Sequence, residues 1–147
     1  MKLFVVIILS LVVIGCTRSQ GQSMSEIPGK SIDRTQLEEM FANIGENTDW
    51  DISGDLLWGY FFTHNAPSLL EISKNKLMSR GYQFVDIYLS DKDNPSDPDV
   101  YWLHVEKNEH HSAESLDKRN DELYLFAHEL GLDSYDGMDV GPVKVVH

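Results

Sequence analysis

Residues 82–107 read YQFVDIYLSDKDNPSDPDVYWLHVEK, two alternating apolar runs around a polar loop. In the first run Val85, Ile87 and Leu89 recur at every second position, the period of a half-buried strand. Residues 100–107 (VYWLHVEK) repeat the pattern. Between them, residues 91–99 (DKDNPSDPD) have the composition of a turn, with two prolines that cannot supply ladder N–H groups. An antiparallel hairpin is predicted. On its N-terminal side, Leu69, Leu70, Ile72, Leu77 and Met78 carry a helix that begins at an Asn65 cap before Pro67 and stops at Gly81. Residues 56–63 (LLWGYFFT) precede that helix as an aromatic-rich strand. On the C-terminal side Ser112 caps a helix with Glu114 and Asp117 in its first turn. Its apolar stripe is Leu116, Leu123, Phe126, Ala127 and Leu130, and Gly131 ends it. Residues 134–143 (SYDGMDVGPV) form a last strand interrupted by glycines.

The order β-α-β-β-α-β defines an α+β class, the ferredoxin-like split β-α-β sandwich. In it two helices cover one face of a four-stranded antiparallel sheet. An extra N-terminal helix is predicted over residues 33–44. There Asp33 and Gln36 form a capping box, Leu37, Met40, Phe41 and Ile44 make the stripe, and Gly45 is the stop. The chain therefore divides into a leader (1–15), a polar Ser/Gly/Gln-rich tether (16–30) and a single domain (31–147) with its core in 50–143.

Alternation splits each strand into two faces. The smaller sets, Leu57, Gly59 and Phe61 with Tyr101, Leu103 and Val105, are expected under the helices. Trp58, Tyr60, Phe62, Trp102 and His104 would then share the other face. That is a large aromatic area to leave wet, so either the N-terminal helix folds across it or it receives a partner protein.

Lys2 and the apolar stretch 3–14 form a charged-then-apolar leader, too short for the roughly 20 residues of a membrane span. It ends Val13-Ile14-Gly15-Cys16 and resembles the lipobox of bacterial lipoproteins, in which the cysteine is acylated and becomes the new N-terminus. Cys16 is the chain's one cysteine, so its lipidation leaves no thiol for a disulfide, a zinc site or a nucleophile. The expected location is the cell envelope, lipid-anchored and facing away from the cytoplasm. Thr17, in place of an aspartate, favours the outer membrane where one exists.

Loss of Lys2 with the leader takes the basic residues from 12 to 11 against 24 acidic ones, a formal net charge of −13. Nucleic acid is disfavoured, because its phosphates need Lys and Arg; the charge suits the solubility of an exported domain, with a basic protein partner as the sharper alternative.

Six histidines raise the question of a metal. An alternative reading places one at His104, His110 and His111, although adjacent His110 and His111 would point apart on a strand. His128-Glu129 begins a zincin motif but meets Leu132 where the second histidine belongs. With Asp91 as position one, the acidic loop puts Pro95 at five, Ser96 at six and Trp102 at twelve, so it is not an EF-hand. No GxSxG motif or Gly-rich phosphate loop is present. No catalytic residue, metal ligand or cofactor is therefore assigned.

Residues 101–143 resemble the C-terminal half of the family called regulator of ribonuclease E activity B (RraB-like). The resemblance rests on the strand with Trp102, the helix segment SLDKRNDELY (115–124) and the closing Tyr135-Asp136-Gly137. The LLWGYFF strand and the Gly81-Tyr82 step fit as well, while Met138 stands where members often carry tryptophan. The resemblance implies a ferredoxin-like fold and a non-catalytic, acidic protein that binds and inhibits ribonuclease E. A cytoplasmic ribonuclease conflicts with an exported leader. The expectation is accordingly a protein-binding domain moved to the envelope, with contacts through the aromatic face and around Tyr135 and Asp136. Direct inhibition of ribonuclease E in the cytoplasm is the alternative.

Overall fold

A computed structural model describes residues 26–146. The leader, Cys16 and most of the tether lie outside the described residues. The elements run α1 (Arg34–Asn47), β1 (Leu56–His64), α2 (Pro67–Met78), β2 (Gln83–Leu89), β3 (Tyr101–Glu109), α3 (Ala113–Leu130) and β4 (Ser134–Gly141). The sheet order is β2-β3-β1-β4 and every pairing is antiparallel. This is the ferredoxin-like α+β arrangement, with one helix added before it.

The caps explain most boundaries. Asp33 accepts from the Gln36 amide at 2.9 Å while Gln36 accepts from the Asp33 amide at 2.8 Å, a reciprocal box that opens α1. Ser112 and Ser115 do the same for α3. Gly131 closes α3 at φ 72°, and Gly81, at φ 93°, turns the chain after α2. Two boundary expectations fail. Gly45 does not stop α1, which runs on to Asn47, where Thr48 closes it by donating its hydroxyl to the Ile44 carbonyl at 2.7 Å. A helical glycine costs only about 1 kcal/mol, and Thr48 secures the longer end by placing both its hydroxyl and its backbone N–H on the Ile44 carbonyl. Asn65 is not the cap of α2 either. Ala66 holds that position with no side-chain bond, and Pro67 starts the helix by its fixed φ.

The expected face assignment holds for β3, whose Leu103 and Val105 are buried under the helices, and is reversed on β1. Trp58, Tyr60 and Phe62 are 0 % exposed and face the helices, packed with Leu70, Leu77, Leu103, Val105, Leu116 and Leu123. Phe61, Trp102 and His104 occupy the opposite face. Residue size misled the reading, because three helices stand over this sheet and the space beneath them takes the larger rings. Helix α1 packs on the same side as α3, setting Phe41 against Trp58 with centroids 5.9 Å apart. It therefore leaves the outer face uncovered.

Strand β2 also departs from simple alternation. A register shift between Phe84 and Asp86 makes Val85 an extra residue, 41 % exposed, so that Phe84 and Ile87 pair with Val105 and Leu103 of the helix-facing set. The predicted tether ends early. Lys30 bridges Asp117 and Asp121 of α3 at 2.9 and 2.6 Å, and the Tyr124 hydroxyl accepts from the Ser31 and Ile32 amides. Residues 26–30 thus belong to the folded domain.

Phe62→Ala should cost about 3–5 kcal/mol, and Phe61→Ala, next to it on the outer face, about 1 kcal/mol. Urea unfolding of both variants measures the difference. An equal or inverted pair would return Phe61 to the core.

Candidate functional site

The outer face of the sheet carries a row of stacked rings. Tyr88 lies parallel to Trp102 at 6.4 Å and 6°, Trp102 meets Phe61 edge-on at 6.3 Å, and Phe61 stacks on His104 at 4.4 Å and 21°. The register builds the row. Tyr88 pairs with Trp102, and His104 stands between Asp86 and Phe61. One step further, Gly59 pairs with Glu106 on one side and Asp139 on the other. Gly59 is buried, and a Cβ there would lie 2.2 Å from the Asp139 carboxylate and 2.8 Å from His104 Nε2. Its missing side chain lets those two groups close over the strand. His104 Nε2 is buried without a hydrogen-bond partner, 3.7 Å from Glu106 Oε1.

Carboxylates border the rings. Burial, followed by the charges of Asp86, Asp136 and Asp139, raises the Tyr88 phenol above its usual value, which puts all three acids within electrostatic reach of that ring. Among the described residues no Lys, Arg or His pairs with Asp86, Asp136 or Asp139. Of the residues expected to form a partner surface, Trp102 and His104 lie on this face and Asp136 is exposed beside it. Trp58, Tyr60, Phe62 and Tyr135 do not, because burial removes them from contact with any partner. Phe61, Tyr88, Asp86, Glu106 and Asp139 were missed. Correct strand registry would have found them, since each is a cross-strand neighbour of Trp102, His104 or Gly59.

The closing Tyr-Asp-Gly turns out to be architectural. Tyr135 is buried and donates its hydroxyl to Asn120 Oδ1 at 2.6 Å. Asn120 in turn reaches Met138 Sδ at 3.6 Å, a contact available at this position because methionine stands there. Gly137 has φ 105°, in the left-handed half of backbone space that favours glycine. Between them, Asp136 is the unpaired residue of a β-bulge and projects to solvent.

A second titratable cluster lies where β3 meets α3. Glu109 accepts from Arg119 Nη2 at 2.5 Å and from the Tyr60 hydroxyl at 3.0 Å, and its Oε2 is 3.1 Å from His111 Nε2. Its backbone carbonyl accepts from the Trp58 indole at 3.1 Å. Arg119 also donates to the Tyr82 hydroxyl at 3.2 Å. Burial alone would raise the Glu109 carboxyl. The His111 hydrogen bond, the Arg119 charge and the Tyr60 hydrogen bond outweigh it and hold the group at about 2, below its usual 4.5. Burial pushes Tyr82 up to about 12 despite the nearby Arg119, and Tyr60 is raised by burial and the Glu109 charge. Every carboxylate oxygen here is already engaged by the protein, so the cluster is a clamp and presents nothing to a substrate.

The expected alternative of a metal at His104, His110 and His111 is not assembled. His104 lies on the outer face, His110 is exposed and His111 is buried against Glu109. Among the described residues no three His, Cys, Asp or Glu side chains are grouped to hold a metal ion. Nor is any described helix long and apolar enough to cross a membrane.

An antiparallel ferredoxin-like sheet with one helical layer and one aromatic, acid-edged face defines a class of small α+β binding modules. Residues 34–140 match the family described as Regulator of ribonuclease activity B, and the chain belongs to that family. Comparison with curated proteins returned no match. Members of this family are regulators and generally non-catalytic, so a protein-binding regulatory domain is the common ground of fold and family.

The Glu109 carboxyl is depressed in the folded state. Its contribution to stability is therefore complete above about pH 4.5 and is lost as pH falls toward about 2. Glu109→Gln should be less stable than wild type at neutral pH and should lose part of the acid slope. Urea midpoints collected between about pH 5 and 2 test this, and an unchanged slope would assign the acid sensitivity to other groups.

Proposed function

We propose that this chain is a lipid-anchored envelope protein whose regulator-type domain binds a protein partner and performs no chemistry itself. The observation that carries the reading is the outer sheet face, where the rings of Phe61, Tyr88 and Trp102 stand near the carboxylates of Asp86, Asp136 and Asp139, which pair with no cation among the described residues. Aromatic rings supply large contact area at small entropic cost, and unneutralised acids set the sign of what they contact. The anchoring half of the reading rests on the leader and on Gly15-Cys16. Two or more acyl chains give stable attachment where one gives only marginal binding, so the processed protein stays on its membrane. A second reading, inhibition of a ribonuclease by direct binding in the cytoplasm, is favoured by the family's own description. The leader argues against it.

Fractionation with metabolic palmitate labelling separates the two. Wild-type protein should be labelled and sediment with membranes, whereas Cys16→Ser should be unlabelled. Unlabelled wild-type protein of full length in the cytosol would overturn the anchor and make the ribonuclease reading the leading one. Purified chain should then slow RNA cleavage by ribonuclease E.

A further inference from the structure

Resting on the protein-binding reading above, we infer that the outer sheet face receives a cationic, arginine-bearing segment of its partner. The guanidinium groups stack on Trp102 and Tyr88 and pair with Asp86, Glu106 and Asp139. Three features of the face carry this.

The first is its charge. Asp86, Asp136 and Asp139 are exposed and have no cationic partner among the described residues, and the strand register sets Asp86 beside His104 and Asp139 beside Gly59. Three unpaired acids on and beside one ring system repel phosphate, carboxylate and acidic protein alike and attract Lys and Arg.

The second is the chain's own behaviour at this place. Glu106 belongs to β3, yet Lys144 of the segment after β4 reaches it across β1, at 3.3 Å. The Lys144 side chain is 72 % exposed while that of Glu106 is 14 % exposed, so a surface cation is resting on a sheltered acid. It marks where a cation sits on this face and holds it weakly enough to be displaced.

The third is geometry. Trp102, His104 and Glu106 point outward at successive alternate positions of β3, a spacing of about 6.7 Å. An extended peptide presents its own i and i+2 side chains at the same interval, so arginines at alternate positions meet the ring row and the acid row in turn. Arginine suits the face better than lysine. Its planar, weakly hydrated guanidinium stacks on aromatic rings and forks onto carboxylates, whereas an ammonium remains a hydrated point charge.

The test uses the full chain in neutral detergent and fluorescein-labelled nonapeptides that alternate serine with arginine, lysine or glutamate. Fluorescence anisotropy should rank arginine above lysine by about fivefold or more, with no binding of the glutamate peptide and with affinity falling as salt rises. Asp86→Asn with Asp139→Asn, exposed and isosteric changes that spare the core, should weaken the arginine peptide at least about tenfold without moving the thermal midpoint. Lys144→Gln should bind it at least as tightly as wild type. Equal binding by wild type and the Asp86/Asp139 variant, or equal affinity for the arginine and lysine peptides, would overturn the inference. So would loss of binding in Lys144→Gln. Crosslinking in cells keeps the two readings apart. A partner captured equally by wild type and the double variant leaves the protein-binding reading intact and sinks the face. Variant-sensitive peptide binding with no partner captured by wild type supports the face and removes the protein-binding reading.

Discussion

Strand β1 lies at the centre of a sheet with helices on one side only, so it can bury only every second side chain against them. The buried set is Trp58, Tyr60 and Phe62, three of the chain's larger residues on one short strand. Their volume requires a deep helical layer, which α1, α2 and α3 together provide. Two of the three carry polar tips that cannot be left dry. The Trp58 indole and the Tyr60 hydroxyl both end on Glu109, and that carboxylate in turn needs Arg119 and His111. The clamp between β3 and α3 is thus a consequence of burying amphipathic rings in the core. It also accounts for the depressed Glu109 carboxyl by packing alone.

The same logic explains the family's signature residues. The Tyr135 ring is buried against Phe62 and Tyr124, and its hydroxyl is satisfied by Asn120 from the middle of α3. Gly137 supplies the backbone that the bulge needs. These residues hold β4 to α3 and to the edge of β1. Of the three signature positions only Asp136 is available to a partner, because a bulge residue has no strand neighbour. Membership of the family is therefore recorded mainly in how the domain is packed. The side chains left facing solvent by the helical layer lie on the other side of the sheet, in Trp102, Tyr88 and the acids around them.

Much of the architecture was legible in the residues. The element order followed from period-two and helical spacings, and the Asp33, Ser112, Gly81 and Gly131 signals held because each is a local backbone preference. Gly45 and Asn65 failed for a related reason. A local signal fixes a boundary only where no neighbouring residue offers the helix end a better one, as Thr48 and Pro67 do here. The candidate site was less legible. Trp102 and His104 were placed on the outer face correctly, while Trp58, Tyr60 and Phe62 were put on it in error. Alternation names two sets of side chains, and nothing within one strand says which set meets the helices.

The amino-acid sequence by itself determined the α+β class, the strand and helix order and the acidic balance, and it holds the Gly15-Cys16 step on which the proposed anchor rests. Each depends on composition or on neighbours within a few residues. Only the tertiary structure decided which sheet face is core, where α1 packs, and which acids gather around Trp102. Those outcomes depend on strand registry, on the bulges at Val85 and Asp136, and on competition among helices for one face. All of them join residues far apart in the chain, whose relative placement no local pattern encodes.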